Sequence, residues 1–237
     1  MLEERLKTGA AELGIGLPDD CLPRFRRYYE LLVEWNERFN LTRITNEDEA
    51  AVKHMLDSLS ALRLLGWDEW RSLADVGSGA GFPGIPLKIV RPALEVTLIE
   101  ATAKKVGFLT AVAKELGLEG VETVHGRGEE CGRRPEFRER FDVVTARAVA
   151  KLNALLEYCL PLTAVGGRFI AFKGPEGAEE AENAGRACAL LGGAMPRLDS
   201  FVLPGECGGR TLVVVEKVRR TPAGYPRPTA QIVKRPL

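Results

Sequence analysis

The sequence predicts an α/β fold on a mostly parallel, seven-stranded sheet, with an antiparallel edge hairpin and an N-terminal helical cap. Three observations predict it. Residues 73–76 are a short apolar run suited to a buried parallel strand, and four glycines follow between Asp75 and Gly84 before an apolar helix begins. A second apolar run, residues 94–100, ends in an acid about 20 residues beyond the glycines, the return distance of a βαβ unit. From there to residue 218, strand-like and helix-like stretches alternate.

In order along the chain, residues 2–13 read as a short amphipathic helix closed by Gly14 and Gly16. Pro23 opens a second helix, on which Phe25, Tyr28, Tyr29, Leu32, Trp35 and Phe39 recur at helical spacing as core residues. Residues 40–45 are an irregular link. Asn46 and Glu49 read as a capping box for a third helix running to Leu65 and ended by Gly66. His54 and Asp57 lie three apart on that helix and share a face; a single helical histidine is by itself an ordinary structural residue. After the glycine turn, residues 103–116 form a helix with Phe108, Leu109, Val112 and Leu116 inward. Residues 121–125 form a third strand, 141–146 a fourth, 154–162 a helix, 167–172 a fifth strand and 178–191 a helix. Strands 198–203 and 211–218 flank the Gly-rich residues 204–209 as an antiparallel hairpin. The expected division is a cap over residues 1–68, a ligand-binding domain over 69–218 and a basic tail over 219–237, forming one compact unit.

The glycines at 77, 79 and 81 permit positive φ and remove the Cβ atoms that would keep a flat ligand off the main chain. A dinucleotide fingerprint needs a third glycine where this chain has Phe82. Glu100, followed by Ala101 and Thr102, falls where an acid meets the ribose hydroxyls. Asp75 at the first strand end suits an ammonium or sulfonium and repels phosphate. S-adenosylmethionine has adenosine, sulfonium and amino-acid parts without a pyrophosphate, so it fits this pair of acids. The turn at Gly128 and Glu129, past the third strand, belongs beside the adenine. Arg147 and Lys173 fall just past strand ends on the same face, where each could meet a substrate phosphate or orient the cofactor.

The 237 residues, 45% hydrophobic and 28% charged, suffice for a buried α/β core plus an appendage, and the zero formal net charge means that any nucleic-acid affinity comes from local patches. Five scattered cysteines and two histidines support neither a metal site nor a disulfide framework. No signal-like start and no membrane-spanning apolar run are present, so the expectation is a cytoplasmic protein. After Glu216 no acid occurs, whereas Arg219, Arg220, Arg227, Lys234 and Arg235 do. That composition reads as an extended tail able to lie along phosphate, the plain alternative being a solvated terminus.

The block Asp75-Val-Gly-Ser-Gly-Ala-Gly-Phe-Pro-Gly-Ile-Pro-Leu87 closely resembles the ribosomal RNA small subunit methyltransferase G family, also called glucose-inhibited division protein B. Asn40-Leu-Thr42, His54-Met-Leu-Asp-Ser-Leu59, Thr145-Ala-Arg-Ala148, Phe172-Lys-Gly174 and Tyr225-Pro-Arg227 carry the likeness over nearly the whole chain. The resemblance implies a Rossmann-like class I methyltransferase that uses S-adenosylmethionine to methylate N7 of a guanine in 16S ribosomal RNA. It implies that Gly77, Phe82 and Arg147 line the cofactor pocket, that Gly128 and Glu129 border the adenine, and that His54 and Asp57 face the RNA. Thr229-Ala230 departs from the family's usual glycine. The expected partner is 16S ribosomal RNA or the small subunit, with no metal and no membrane, and the chain is expected to be a monomer. Guanine N7 has a lone pair and no proton, so its attack on a methyl needs positioning rather than a general base. A nicotinamide-dependent oxidoreductase and a cofactor-binding RNA-associated protein without turnover are the alternative readings.

Overall fold

The computed structural model describes residues 1–64 and 66–237. One sheet contains β1 (Ser72–Val76), β2 (Glu95–Glu100), β3 (Val121–His125), β4 (Phe141–Arg147), β5 (Thr163–Lys173), β6 (Arg197–Val202) and β7 (Gly209–Glu216), in the order β3-β2-β1-β4-β5-β7-β6. Strands β1 to β5 pair in parallel, while β7 pairs antiparallel with β5 and β6 with β7. The chain runs outward from β1 through β2 to β3, then returns to lay β4 on the other side of β1. That reversal opens a crevice at the carboxyl ends of β1 and β4, the usual ligand site of an open α/β sheet.

The helices are α1 (Leu2–Glu12), α2 (Leu22–Asn36), α3 (Glu47–Ala50), α4 (Asp57–Leu59), α5 (Gly84–Val90), α6 (Ala103–Glu115), α7 (Gly128–Cys131), α8 (Leu152–Cys159), α9 (Gly177–Glu182), α10 (Gly185–Leu191) and α11 (Thr229–Lys234). Strand alternation divides the core between the two sheet faces. Leu73, Leu98, Val143 and Ile170 join Leu2, Leu6, Phe25, Leu32, Met55 and Phe108 on one face; Ala74, Val76, Val144 and Phe169 join Leu155, Leu156, Cys188 and Ile232 on the other. The N-terminal cap thus packs on the same sheet face as α5 and α6, each fully buried leucine or phenylalanine contributing about 2 kcal/mol.

Several elements differ from the sequence expectation. The third helix is continuous in path but mixed in type. Asn46 caps α3 by accepting from the amides of Asp48 and Glu49, residues Ala51–Leu56 are π-helical, and Ser60–Arg63 is 3₁₀ after α4. Its expected end at Leu65 lies outside the described residues. The expected helix over residues 178–191 is two helices, divided at Asn183 and Ala184 just before Gly185, a poor helix former. Strand β5 starts four residues early, and a register shift against β4 lies where Gly167 passes so close to Asp142 that an added Cβ would be 2.6 Å from its carbonyl oxygen. The tail is not extended. It folds into α11, whose Ile232 is fully buried against the α8 side of the sheet. Among the described residues, no helix is long and apolar enough to cross a membrane, and no three His, Cys, Asp or Glu side chains gather as a metal site.

Candidate functional site

The glycine turn leaves β1 and folds onto the end of β2. Gly77, Gly79 and Gly81 have φ of 71°, 58° and 95°, and the amides of Gly77 and Ser78 both donate to the Ile99 carbonyl at 2.8 and 3.2 Å. Glu100 closes this corner: Oε2 accepts from the Gly79 amide at 2.9 Å and Oε1 from the Thr102 amide at 2.8 Å. A carboxylate has about four acceptor positions, so two remain for a vicinal diol. Ala101 and Thr102 are exposed beside it.

Asp75 lies inside the corner. Its carboxylate is fully buried, with Oδ2 accepting from the Gly84 amide at 3.1 Å and Oδ1 from the Thr145 hydroxyl at 3.0 Å. Burial raises its pKa to about 6 against those hydrogen bonds. Strand alternation turns this side chain inward, where it ties β1, β4 and the start of α5 together. At Gly81 a Cβ would meet Ile85 at 2.7 Å and the Tyr28 hydroxyl at 2.8 Å, so its bare face also serves the cap. Gly77 carries Val149 against its open face, 2.5 Å from the Cβ position, and Gly79 is open. A Cβ on Gly128 would strike Val76 at 2.7 Å, and the buried Glu129 accepts a hydrogen bond from Thr229 in the tail.

Next to the turn is a cleft of about 610 Å³ lined in part by Lys53, His54, Asp57, Arg147, Lys173 and Arg210. Asp57, 4% exposed, bridges two guanidiniums: Oδ2 accepts from Arg147 Nη1 at 2.8 Å and Oδ1 from Arg210 Nε at 3.0 Å. Arg147 also donates to the Lys53 carbonyl at 3.1 Å and lies over the Phe82 ring, 5.0 Å from its centroid. His54 stacks on the same Phe82 ring, at 4.5 Å and 20°. Burial first and Arg147 second lower the His54 pKa to about 3, so the ring is neutral. Arg147 Nη2 lies 3.4 Å from His54 Nδ1, which makes Nδ1 the acceptor. Nε2–H then donates to the Thr42 hydroxyl at 2.8 Å. Lys173 donates to the Ala150 carbonyl and pairs with Glu180, each at 2.8 Å, and so holds the loop that follows β4.

The structure therefore brings His54, Asp57, Arg147, Lys173 and Phe82 together, with Phe82 4% exposed beneath the cap. Sequence reasoning missed Arg210. Only the antiparallel register that sets Lys173 opposite Thr211 brings this residue of β7 to the cleft. In the tail, Arg227 is committed to the fully buried Glu157, with Nε at 2.8 Å and Nη2 at 2.7 Å from its oxygens, and Arg219 donates to the Ala189 carbonyl. Arg220, Lys234 and Arg235 are exposed.

Comparison with known proteins agrees with this architecture. The family model for GidB, rRNA small subunit methyltransferase G, matches residues 22–204. A ribosomal RNA small subunit methyltransferase G from Exiguobacterium sibiricum is 48% identical over 237 residues, covering 100% of both chains. One from Alkaliphilus metalliredigens is 47% identical over 232 residues, 98% of this chain and 97% of that one. In three dimensions, cofactor-bound Rv0187 from MTB shares the fold with a TM-score of 0.59 at 18% identity, covering 84% of this chain and 91% of that one. With full-length relatives near half identity and a family model that spans the glycine turn and the cleft residues from Lys53 to Lys173, the chain belongs to the rRNA small subunit methyltransferase G family, S-adenosylmethionine-dependent enzymes that methylate small-subunit ribosomal RNA.

Proposed function

We propose that this protein transfers the methyl group of S-adenosylmethionine to N7 of a guanine in 16S ribosomal RNA, with Glu100 at the ribose and the Arg147 cleft on the RNA side. The observation that carries the cofactor reading is the Asp75–Gly84 bond. The first amide of α5, where a pyrophosphate would bind, is already taken by a buried carboxylate. That arrangement disfavours a dinucleotide, and Glu100 with the open Gly79 fits an adenosine without one.

When bound, S-adenosylmethionine supplies an electrophilic methyl on sulfonium. The protein's share is positioning. Glu100 accepts from the ribose hydroxyls, and Arg147 and Arg210, locked by Asp57, offer fixed cationic donors to RNA phosphates, with Lys53 and Lys173 beside them. His54 has its Nδ1 turned to Arg147 and its Nε2–H to Thr42, so it is set as a spacer rather than a base. This agrees with a nucleophile that has no proton to lose. The major groove of A-form RNA is too deep and narrow to admit side chains to N7, so the target belongs in a loop or an incompletely assembled particle. Exposed Arg220, Lys234 and Arg235 extend the basic surface toward the RNA backbone. A ribosomal RNA substrate fits work in the cytoplasm, and the proposed unit of activity is a single chain.

The test is methyl transfer from radiolabelled S-adenosylmethionine to unmodified ribosomal RNA, free and in small subunits, followed by nucleoside chromatography. Label in 7-methylguanosine is the expected result. Label in another nucleoside removes the N7 reading, preferential binding of a nicotinamide cofactor favours the oxidoreductase, and cofactor binding without label favours the protein without turnover.

A further inference from the structure

The second cap helix predicts a row of core aromatics, and one of them does more than fill space. Tyr28 of α2 is fully buried, and its hydroxyl donates at 2.5 Å to the carbonyl of Ala80, in the middle of the glycine turn. It is the hydroxyl's one hydrogen bond among the described residues. The same phenol ring lies 5.3 Å from the Phe82 ring, and its oxygen occupies the space that a side chain at Gly81 would need, 2.8 Å from the Cβ position. Three consecutive residues of the turn are thereby set from the cap. Its neighbour Tyr29 instead donates to Thr45 at the surface, so the contact belongs to Tyr28 alone.

The chain of contacts continues. Phe82, held on one side by Tyr28, packs against His54 and under Arg147, and Arg147 is the guanidinium that Asp57 fixes in the cleft. A buried residue of the cap therefore sets the backbone of the cofactor turn and, through Phe82, one wall of the RNA cleft. Burial holds the phenol's pKa well above its ordinary 10, so the hydroxyl remains a donor at any working pH.

We propose that Tyr28 is a positioning residue for methyl transfer, acting through Ala80 and Phe82 to hold the glycine turn in its cofactor-accepting shape. This rests on the S-adenosylmethionine reading above. A purely structural Tyr28 would affect how much folded enzyme is present. A positioning Tyr28 changes how the folded enzyme binds its cofactor.

Tyr28→Phe retains the ring and removes only the hydroxyl. We expect its KM and Kd for S-adenosylmethionine to rise about fivefold, the size of one buried hydrogen bond, while the KM for RNA stays unchanged. Phe25→Leu, on the same helix and fully buried but with no hydrogen bond to the turn, is the control for a loosened cap; it should lower Tm and leave both KM values unchanged. Cofactor affinity in Tyr28→Phe equal to wild type, or an equal loss of affinity in Phe25→Leu, overturns the proposal. Binding of S-adenosylmethionine by the wild-type protein is measured alongside. If the wild type fails to bind it, the cofactor reading has failed, whereas wild-type binding with an unaltered Tyr28→Phe rejects Tyr28 alone.

Discussion

Asp57 and Arg147, 90 positions apart, meet at 2.8 Å, and the other oxygen of the same carboxylate holds Arg210 at 3.0 Å. One buried negative charge fixes two guanidiniums at the cleft, leaving the trio net positive. Without Asp57 the two cations repel and lose their orientation. Asp57→Asn is expected to cost about 3 kcal/mol of stability, read from urea unfolding, because it breaks a buried ion pair from one side. It should also raise the KM for RNA more than the KM for S-adenosylmethionine.

Arg147→Ala should lower methyl transfer about 100-fold, the scale of a lost electrostatic contact in a preorganised site. Arg147→Lys should recover little, since a single ammonium cannot reach Asp57, the Lys53 carbonyl and the Phe82 face with one planar fork. Initial rates with saturating RNA measure both. Full activity in Arg147→Ala removes this residue from the site.

Glu100→Gln preserves the shape of the corner but replaces one acceptor oxygen with a donor, facing either the Gly79 or the Thr102 amide or the ribose. Affinity for S-adenosylmethionine should fall about tenfold, the range of a hydrogen bond to a charged group. Calorimetric titration reads it without RNA present.

The pH dependence of stability has two opposed contributions. His54 has a folded pKa of about 3 against an ordinary 6.5, so the unfolded chain takes up its proton first as pH falls. Its contribution is complete above pH 6.5 and is lost toward pH 3. Asp75 runs the other way: with a folded pKa of about 6 against 3.8, its contribution is complete below 3.8 and lost as pH rises to about 6. Urea midpoints from about pH 4 to about pH 7 should therefore lose their acid-side fall in His54→Gln and gain steepness in Asp75→Asn, provided each variant folds.

The tail cations should separate by role. Arg227→Ala leaves Glu157 buried and unpaired and should cost about 3 kcal/mol in stability. Lys234→Ala and Arg235→Ala should leave stability unchanged and each reduce the slope of log binding constant against log salt by about 0.7 for a single-stranded target. Binding titrations over a range of salt concentrations check this.

Local pattern was enough for the strand–turn–helix at residues 72–90, for Glu100 at the end of β2 and for the hairpin at the sheet edge, each of which the structure places as expected. These features are written in neighbouring residues. Apolar periodicity selects strand or helix, and positive φ at Gly77, Gly79 and Gly81 restricts the turn to glycine. His54 and Asp57 were also legible, as two residues three apart on one helix, although only the family likeness pointed them to the RNA.

Contacts between distant segments decided the rest. Arg210 enters the cleft across 153 positions, Tyr28 reaches Ala80 across 52, and Arg227 finds Glu157 across 70. None of these pairings leaves a periodic trace, because strand register and the seating of the cap on the sheet determine which side chains meet. The inward turn of Asp75 has the same origin. Its place at a strand end suggested a ligand, and the alternation of β1 against the cap-side face gave it Gly84 and Thr145 as partners.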